Sequence, residues 1–216
     1  MSKIKAVIFD FDGTLVDTNE WVLSTYEHTL SHHGLKARSR AEIASQVGKR
    51  LEECYAFLAP GMVNDSLLNV HRAFQKQNAH LMKLFGHCNE VLGELSIKYK
   101  LALFTSRWNV ALSLEAVGID TKLFSVIVDA DMVEKGKPDP EGIYKILDEL
   151  GLKPTSAVMV GDAGVDIIAA KAAGLAATVG IIHGFGTREE LEQVGTDYII
   201  DSLDKLPAVI KTIEQS

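Results

Sequence analysis

Cysteine is scarce: Cys54 and Cys88 are the two in 216 residues, and their spacing suits neither a thiolate metal site nor a redox pair. That argues against a disulfide framework and reads as plain packing in a reducing compartment. Basic residues are also in deficit. Twenty-two Lys and Arg against 29 Asp and Glu leave a formal charge of −7, which argues against broad affinity for nucleic acid or an anionic membrane. The uncharged stretch Ala172 to Ile182 is far short of the roughly 20 residues that span a bilayer. At the other end, the apolar run Ala6 to Phe9 stops at Asp10, with no signal-type hydrophobic region. The expectation is a cytoplasmic monomer or homodimer whose partner is a small molecule, with no nucleic acid and no membrane. Repeats and low-complexity segments are missing too. What is present is the composition of an ordinary globular chain, 47% hydrophobic and 24% charged, long enough to fill a sizeable core.

Five short apolar runs read as strands: Ala6 to Phe9, Leu101 to Phe104, Val126 to Val128, Ala157 to Val160 and Ala177 to Ile181. Their apolarity is continuous rather than alternating, the mark of strands buried on both faces in a parallel sheet. Helical patterns lie between them. Val110 to Val117, Pro140 to Leu150 and Asp166 to Ala173 each stop at a glycine where a helix C-cap favours one. Tyr198 to Ile200 reads as a sixth strand and Leu203 to Ile213 as a closing helix. From about Thr18 to Phe85 there is no strand signal. That interval carries three apolar stripes at helical spacing: Trp21, Val22, Tyr26 and Leu30; Leu51, Tyr55 and Leu58; Leu67, Val70, Phe74, Leu81 and Phe85. The fold expected is α/β, a doubly wound Rossmann-like parallel sheet with an inserted α-helical cap. The core is expected at 1–17 and 86–216, the cap at 18–85.

Ligands of such sheets bind beyond the carboxyl ends of the strands, and polar residues gather there. Asp10-Phe11-Asp12-Gly13-Thr14 follows the first run, Thr105-Ser106-Arg107 the second, and Gly161-Asp162 the fourth, with Asp166 four residues on. Gly136-Lys137-Pro138 follows the third and brings a cation to this acidic rim. Several carboxylates converging without Cys or His call for a hard divalent metal, and magnesium takes carboxylates, waters and phosphate oxygens. Given a phosphate, Thr105 and Ser106 are suited to donate to its oxygens, Lys137 to neutralise charge, and an aspartate to attack phosphorus.

In order, Asp10 to Asp17, Phe104-Thr105-Ser106, Gly136-Lys137-Pro138 and Val160-Gly161-Asp162 through Asp166-Ile167 resemble the four motifs of the haloacid dehalogenase superfamily. A helical cap after the first motif is similar to one large branch of it. The tail from Gly180 to Gly186, with Glu189 to Leu191 and Asp197 to Ile200, resembles its phosphoglycolate phosphatase and pyrophosphatase group. The resemblance implies a magnesium-dependent phosphatase of small phosphorylated metabolites, acting through an aspartyl phosphate. It implies Asp10 as nucleophile and metal ligand, and Asp12 as general acid/base whose carbonyl meets the metal. Asp162 completes the ligands, Asp166 lies beside it, orienting metal-bound water or Lys137, and Thr105 binds the transferring phosphoryl group. A phosphomutase of the β-phosphoglucomutase kind shares these motifs. A dehalogenase typically lacks an acid at the position of Asp12, and a non-catalytic binding domain has no need of the full set.

The chain departs from the family pattern at three places. Ser106 and Arg107 stand where Asn and Lys are frequent, so Arg107 reads either as a phosphate contact or as an exposed helix-start residue. Ala163 replaces a frequent Ser or Thr, removing a hydrogen bond near the metal, and Leu84 to His87 lacks a proline often found there. Lys137 also fits a solvated loop, Asp166 a first-turn helix residue, and His183 an unremarkable loop histidine. Lys49 and Arg50 are candidate cap contacts to an anionic substrate, or part of a solvated face.

Overall fold

The computed structural model describes residues 4–215; positions 1–3 and 216 of the expected core lie outside the described residues. Six parallel strands form the main sheet: β1 (Ala6–Phe9), β4 (Lys100–Phe104), β5 (Phe124–Val128), β6 (Ala157–Gly161), β7 (Ala177–Ile181) and β8 (Tyr198–Ile200), ordered β5-β4-β1-β6-β7-β8. β1 pairs with β4 on one side and β6 on the other. The chain therefore reverses its direction of progress across the sheet after β5, and the crevice beside β1 is the topological switch point.

Continuous apolarity has a direct cause here. Ala6 and Ile8 face one side of the sheet with Ala102, Phe104 and Met159, covered by α7 (Glu141–Leu150) and α8 (Gly164–Ala173). Val7 and Phe9 face the other with Leu101, Leu103, Val158 and Val160, covered by α5 (Cys88–Ser96), α6 (Val110–Ala116) and α10 (Leu206–Gln215). All of β1 is inaccessible to solvent, and each such large apolar side chain contributes roughly 1.5–3 kcal/mol. Helix α9 (Arg188–Gln193) connects the last two strands. The expected helix ends hold at Gly151 and Gly174, both left-handed C-caps.

The interval after the first motif contains α1 (Asn19–His32), α2 (Arg40–Ala44), α3 (Leu51–Leu58) and α4 (Asp65–Gln77). Two corrections arise in it. The interval is not free of strand: β2 (Val16–Asp17) pairs antiparallel with β3 (Lys83–Leu84), tying together the outgoing and returning chain. Two residues are too few to show an alternating pattern. The third stripe is also shifted. Leu67, Leu68 and His71 are the buried face of α4, whereas Val70, Phe74, Leu81 and Phe85 are only partly covered. Tyr55 hydrogen-bonds His71 Nδ1 at 2.8 Å, and Tyr26 meets both rings, so a polar histidine takes the inward place that an apolar pattern assigns to its neighbours.

Candidate active site

Three of the four polar motifs sit where a strand ends, and Gly136-Lys137-Pro138 lies on the loop between β5 and α7. Asp10 leaves β1 with its N–H on the carbonyl of Val160, next to Asp162 at the end of β6. The chain turns back at once after Asp12 because Gly13 has φ +74°, and a Cβ there would lie 2.2 Å from Asp162 Oδ2. Only glycine allows the first motif to approach this closely.

Lys137 is the pivot. Its Nζ donates to Asp10 Oδ1 at 2.7 Å, Asp166 Oδ1 at 2.6 Å and the Phe104 carbonyl at 3.3 Å, with its side chain fully buried. The solvated-loop alternative is excluded. Burial alone would discharge this lysine, yet the charges of Asp10 and Asp166 hold its ammonium above the ordinary lysine value. Asp166 does stand in the first turn of α8, where its other oxygen accepts from the Ala163 N–H at 3.1 Å, and with Lys137 on the first both oxygens are engaged. Ala163 caps α8 without a side-chain bond, the missing hydroxyl expected from the sequence.

Asp162 accepts from Thr14 Oγ1 at 3.2 Å and from the Phe185 N–H at 2.6 Å. Burial, then the charges of Asp10 and Asp166, push its carboxyl well above the usual range. Burial also pushes Asp10 up to about 7, against the pull of Lys137. Ligand oxygens of Asp10, Asp162 and Asp166 lie within 4.8 Å of one another. With Asp12, four carboxylates face two cations, Lys137 and Arg107. An all-oxygen donor set with surplus negative charge, buried where water cannot screen it, fits a hard divalent cation.

Arg107 is neither exposed nor at a helix start. Its Nε donates to Asp12 Oδ2 at 3.2 Å and its Nη2 to Asp12 Oδ1. The guanidinium lies 4.3 Å from the ring centre of Trp21 on α1 and 4.9 Å from that of Phe11. Thr105 is buried, and its Oγ1 accepts from the Arg107 N–H at 3.1 Å, which leaves its own proton to donate.

Two of the residues expected at the substrate bond the protein itself. Ser106 gives its hydroxyl to the carbonyl of Gly48, and Arg50 gives its guanidinium to the carbonyls of Ala130 at 2.9 Å, Val133 at 3.3 Å and Glu134. Both join the helical insert to the core. Gly136 makes room, since a Cβ there would meet Arg50 Cγ at 2.6 Å. Lys49 lines the intervening cavity of about 140 Å³ and donates to Gln46 Oε1 at 3.0 Å. His183 stacks on Phe85 with 3.5 Å between ring centres and bonds the Thr14 carbonyl, so it braces the chain where it returns from the insert.

Sequence reasoning missed His71, Thr14 and Phe185. His71 lines the cavity with its value pushed down to about 3, first by burial and then by Arg107 and Arg72, so it faces the cavity as a neutral ring. Phe185 acts through its backbone, and the Gly-rich run around it was the signal available.

The family description "haloacid dehalogenase-like hydrolase" matches residues 7–179, and the chain belongs to that family. It is 33% identical over 215 residues to Pyrophosphatase PpaX of Bacillus pumilus (strain SAFR-032), with 97% of each chain covered. Among solved structures, a haloacid dehalogenase-like hydrolase from Bacteroides fragilis superposes with TM-score 0.84 at 26% identity, covering 94% of this chain and 100% of that one. A β-phosphoglucomutase from Clostridium difficile shares the fold, with TM-score 0.83 at 20% identity and 98% and 97% coverage. Among the described residues, no helix is long and apolar enough to cross a membrane.

Proposed function

We propose that this chain is a magnesium-dependent phosphatase that hydrolyses small phosphorylated metabolites, pyrophosphate foremost, through an aspartyl phosphate on Asp10. The observation that carries the reading is the buried carboxylate cluster held around Lys137, with Asp12 two residues from Asp10. The pyrophosphatase relatives support the choice of substrate. Asp10 and Asp162 side chains and the Asp12 carbonyl would hold Mg2+, with Asp166 alongside. When bound, the metal supplies positive charge beside the phosphoryl oxygens.

One oxygen of Asp10 is fixed by Lys137 while the carboxylate attacks phosphorus. As that bond forms, the bond from phosphorus to the leaving oxygen breaks, and the leaving oxygen takes a proton from Asp12. Water then attacks phosphorus and gives its proton to Asp12, the phosphorus–Asp10 bond breaks, and phosphate departs. Thr105 donates to the phosphoryl oxygens, and the charge of Lys137 beside Asp10 offsets theirs. Residues 18–85 act as the lid: Ser106 to Gly48 and Arg50 to the core carbonyls are the contacts that close it over the cavity and exclude water.

Asp12→Asn keeps the shape and removes the proton carrier, so kcat should fall by roughly 10²–10⁴. A phosphate assay on phosphoglycolate, whose leaving group is poor and carries its own charge, checks this. Wild-type turnover in the variant would return the chain to a mechanism that needs no acid at position 12.

Magnesium has a second readout in stability. A carboxyl held at about 7 in the fold against an ordinary 3.8 binds more protons folded than unfolded between those values. Metal-free stability should therefore fall as pH rises through that window. Mg2+ at a hundredfold over its Kd adds about 2.7 kcal/mol, or a rise in Tm of roughly 5–10 °C for a chain of this size. Scanning fluorimetry should show a larger rise at pH 8 than at pH 5, and none in Asp162→Ala. An equal rise in that variant would place the ion elsewhere.

A further inference from the structure

The Arg107 guanidinium occupies both oxygens of Asp12, from Nε and Nη2. A carboxylate held by a planar fork on both oxygens is tied to that fork and cannot at the same time face a leaving oxygen. Before Asp12 acts, the pair has to open. Arg107 cannot simply be released into solvent, because its side chain is 8% exposed and lies against the faces of Trp21 and Phe11. An uncompensated charge at that depth is costly. Its replacement partner must be another anion, and Arg107 lines the cavity that Asp10, Asp12 and Thr105 also line, where such an anion can arrive. Neighbouring cations are less available for exchange: Lys137 is held by two carboxylates and Arg50 by three backbone carbonyls.

We propose that Arg107 is a specificity-determining residue that exchanges Asp12 for an oxygen of the substrate's leaving group, so that the site favours phosphoryl compounds whose leaving group carries its own negative charge. The proposal rests on the phosphatase reading above and adds the chemical class of the leaving group. Trading one carboxylate for one phosphate or carboxylate oxygen keeps the charge-assisted hydrogen bonds of the fork. A neutral leaving group offers no such exchange, and Asp12 stays bound. Release of Asp12 thereby coincides with arrival of the group it must protonate, and Trp21 makes the exchange depend on α1 being in place.

The test compares pyrophosphate with p-nitrophenyl phosphate in the presence of Mg2+, since their leaving groups are of comparable acidity and differ in charge. The quantity read is the ratio of the two kcat/KM values in one protein sample, in which any loss of folded enzyme cancels. R107Q and R107M should lower that ratio roughly ten- to hundredfold, the worth of a charge-assisted hydrogen bond. R107K, which keeps the charge and loses the fork, should fall between. A ratio unchanged in all three variants overturns the proposal, because a purely structural role lowers both substrates together. A readout without variants is inhibition of the wild type. Methylenediphosphonate should inhibit more strongly than phenylphosphonate, and equal inhibition by the two also overturns the proposal. Wild-type enzyme that cleaves neither substrate removes the phosphatase reading, and this proposal with it.

Discussion

Asp10→Asn is expected to lower turnover by roughly 10³–10⁶-fold, the range seen when an enzyme loses its nucleophile, while the protein stays folded. The amide oxygen can still accept from Lys137 Nζ, now 2.7 Å from Asp10 Oδ1, so the geometry around the pivot persists. What is lost is the charge and the attacking electron pair. Because burial disfavours that charge in the metal-free fold, the substitution should leave metal-free Tm at pH 8 at or above the wild-type value. Activity measured with pyrophosphate and Mg2+, alongside circular dichroism, checks both halves. Retention of a tenth of wild-type turnover would remove Asp10 from its role.

Lys137→Met is expected to damage stability and catalysis together. It leaves Asp10 and Asp166 buried without the cation that now bonds both, and breaking a buried pair in this way costs roughly 3–5 kcal/mol. For a chain of this length that corresponds to a fall in Tm of roughly 6–20 °C. The pH dependence has a definite sign. Without Lys137 the Asp10 carboxyl shifts further upward, so the folded state binds more protons than the unfolded one over a wider range. The deficit should therefore grow from pH 5 to pH 8. Turnover should fall by roughly 10²–10³ through loss of charge stabilisation at the phosphoryl group. Urea melts at the two pH values decide the first half. A variant as stable as wild type at pH 8 would mean that the carboxylates are balanced by something other than this lysine.

The sheet was legible because its strands are covered on both sides. Val7 and Phe9 meet one helical layer and Ala6 and Ile8 the other, and continuous apolarity is how that burial is written in sequence. The site residues were legible for a related reason: polar groups that interrupt apolar runs at strand ends have the switch-point crevice as their common destination. Asp10, Asp162, Asp166 and Lys137 meet there as expected. Residues whose partners are distant backbone atoms were not legible. Arg50 bonds carbonyls 80 or more positions away and Ser106 a carbonyl 58 away. Nothing in residue type distinguishes such donors from substrate contacts. His71 was hidden because a polar residue turned inward breaks the apolar period that identifies a buried face. Arg107 stood out as a departure, but its partner did not, since the approach of Asp12 depends on the turn at Gly13 and on α1 supplying Trp21.

The covalent intermediate is the claim on which the mechanism stands, and it has a direct chemical readout. Wild-type enzyme mixed with pyrophosphate and Mg2+, quenched in acid within the first turnover and reduced with borohydride, converts an aspartyl phosphate into homoserine that peptide mapping can place. The aspartyl-phosphate mechanism predicts homoserine at position 10 and at no other aspartate, and none in Asp10→Asn. Homoserine at another position in an enzyme that is turning over, or phosphate release with position 10 unmodified at every quench time in Asp12→Asn, whose second step is slowed, would contradict it.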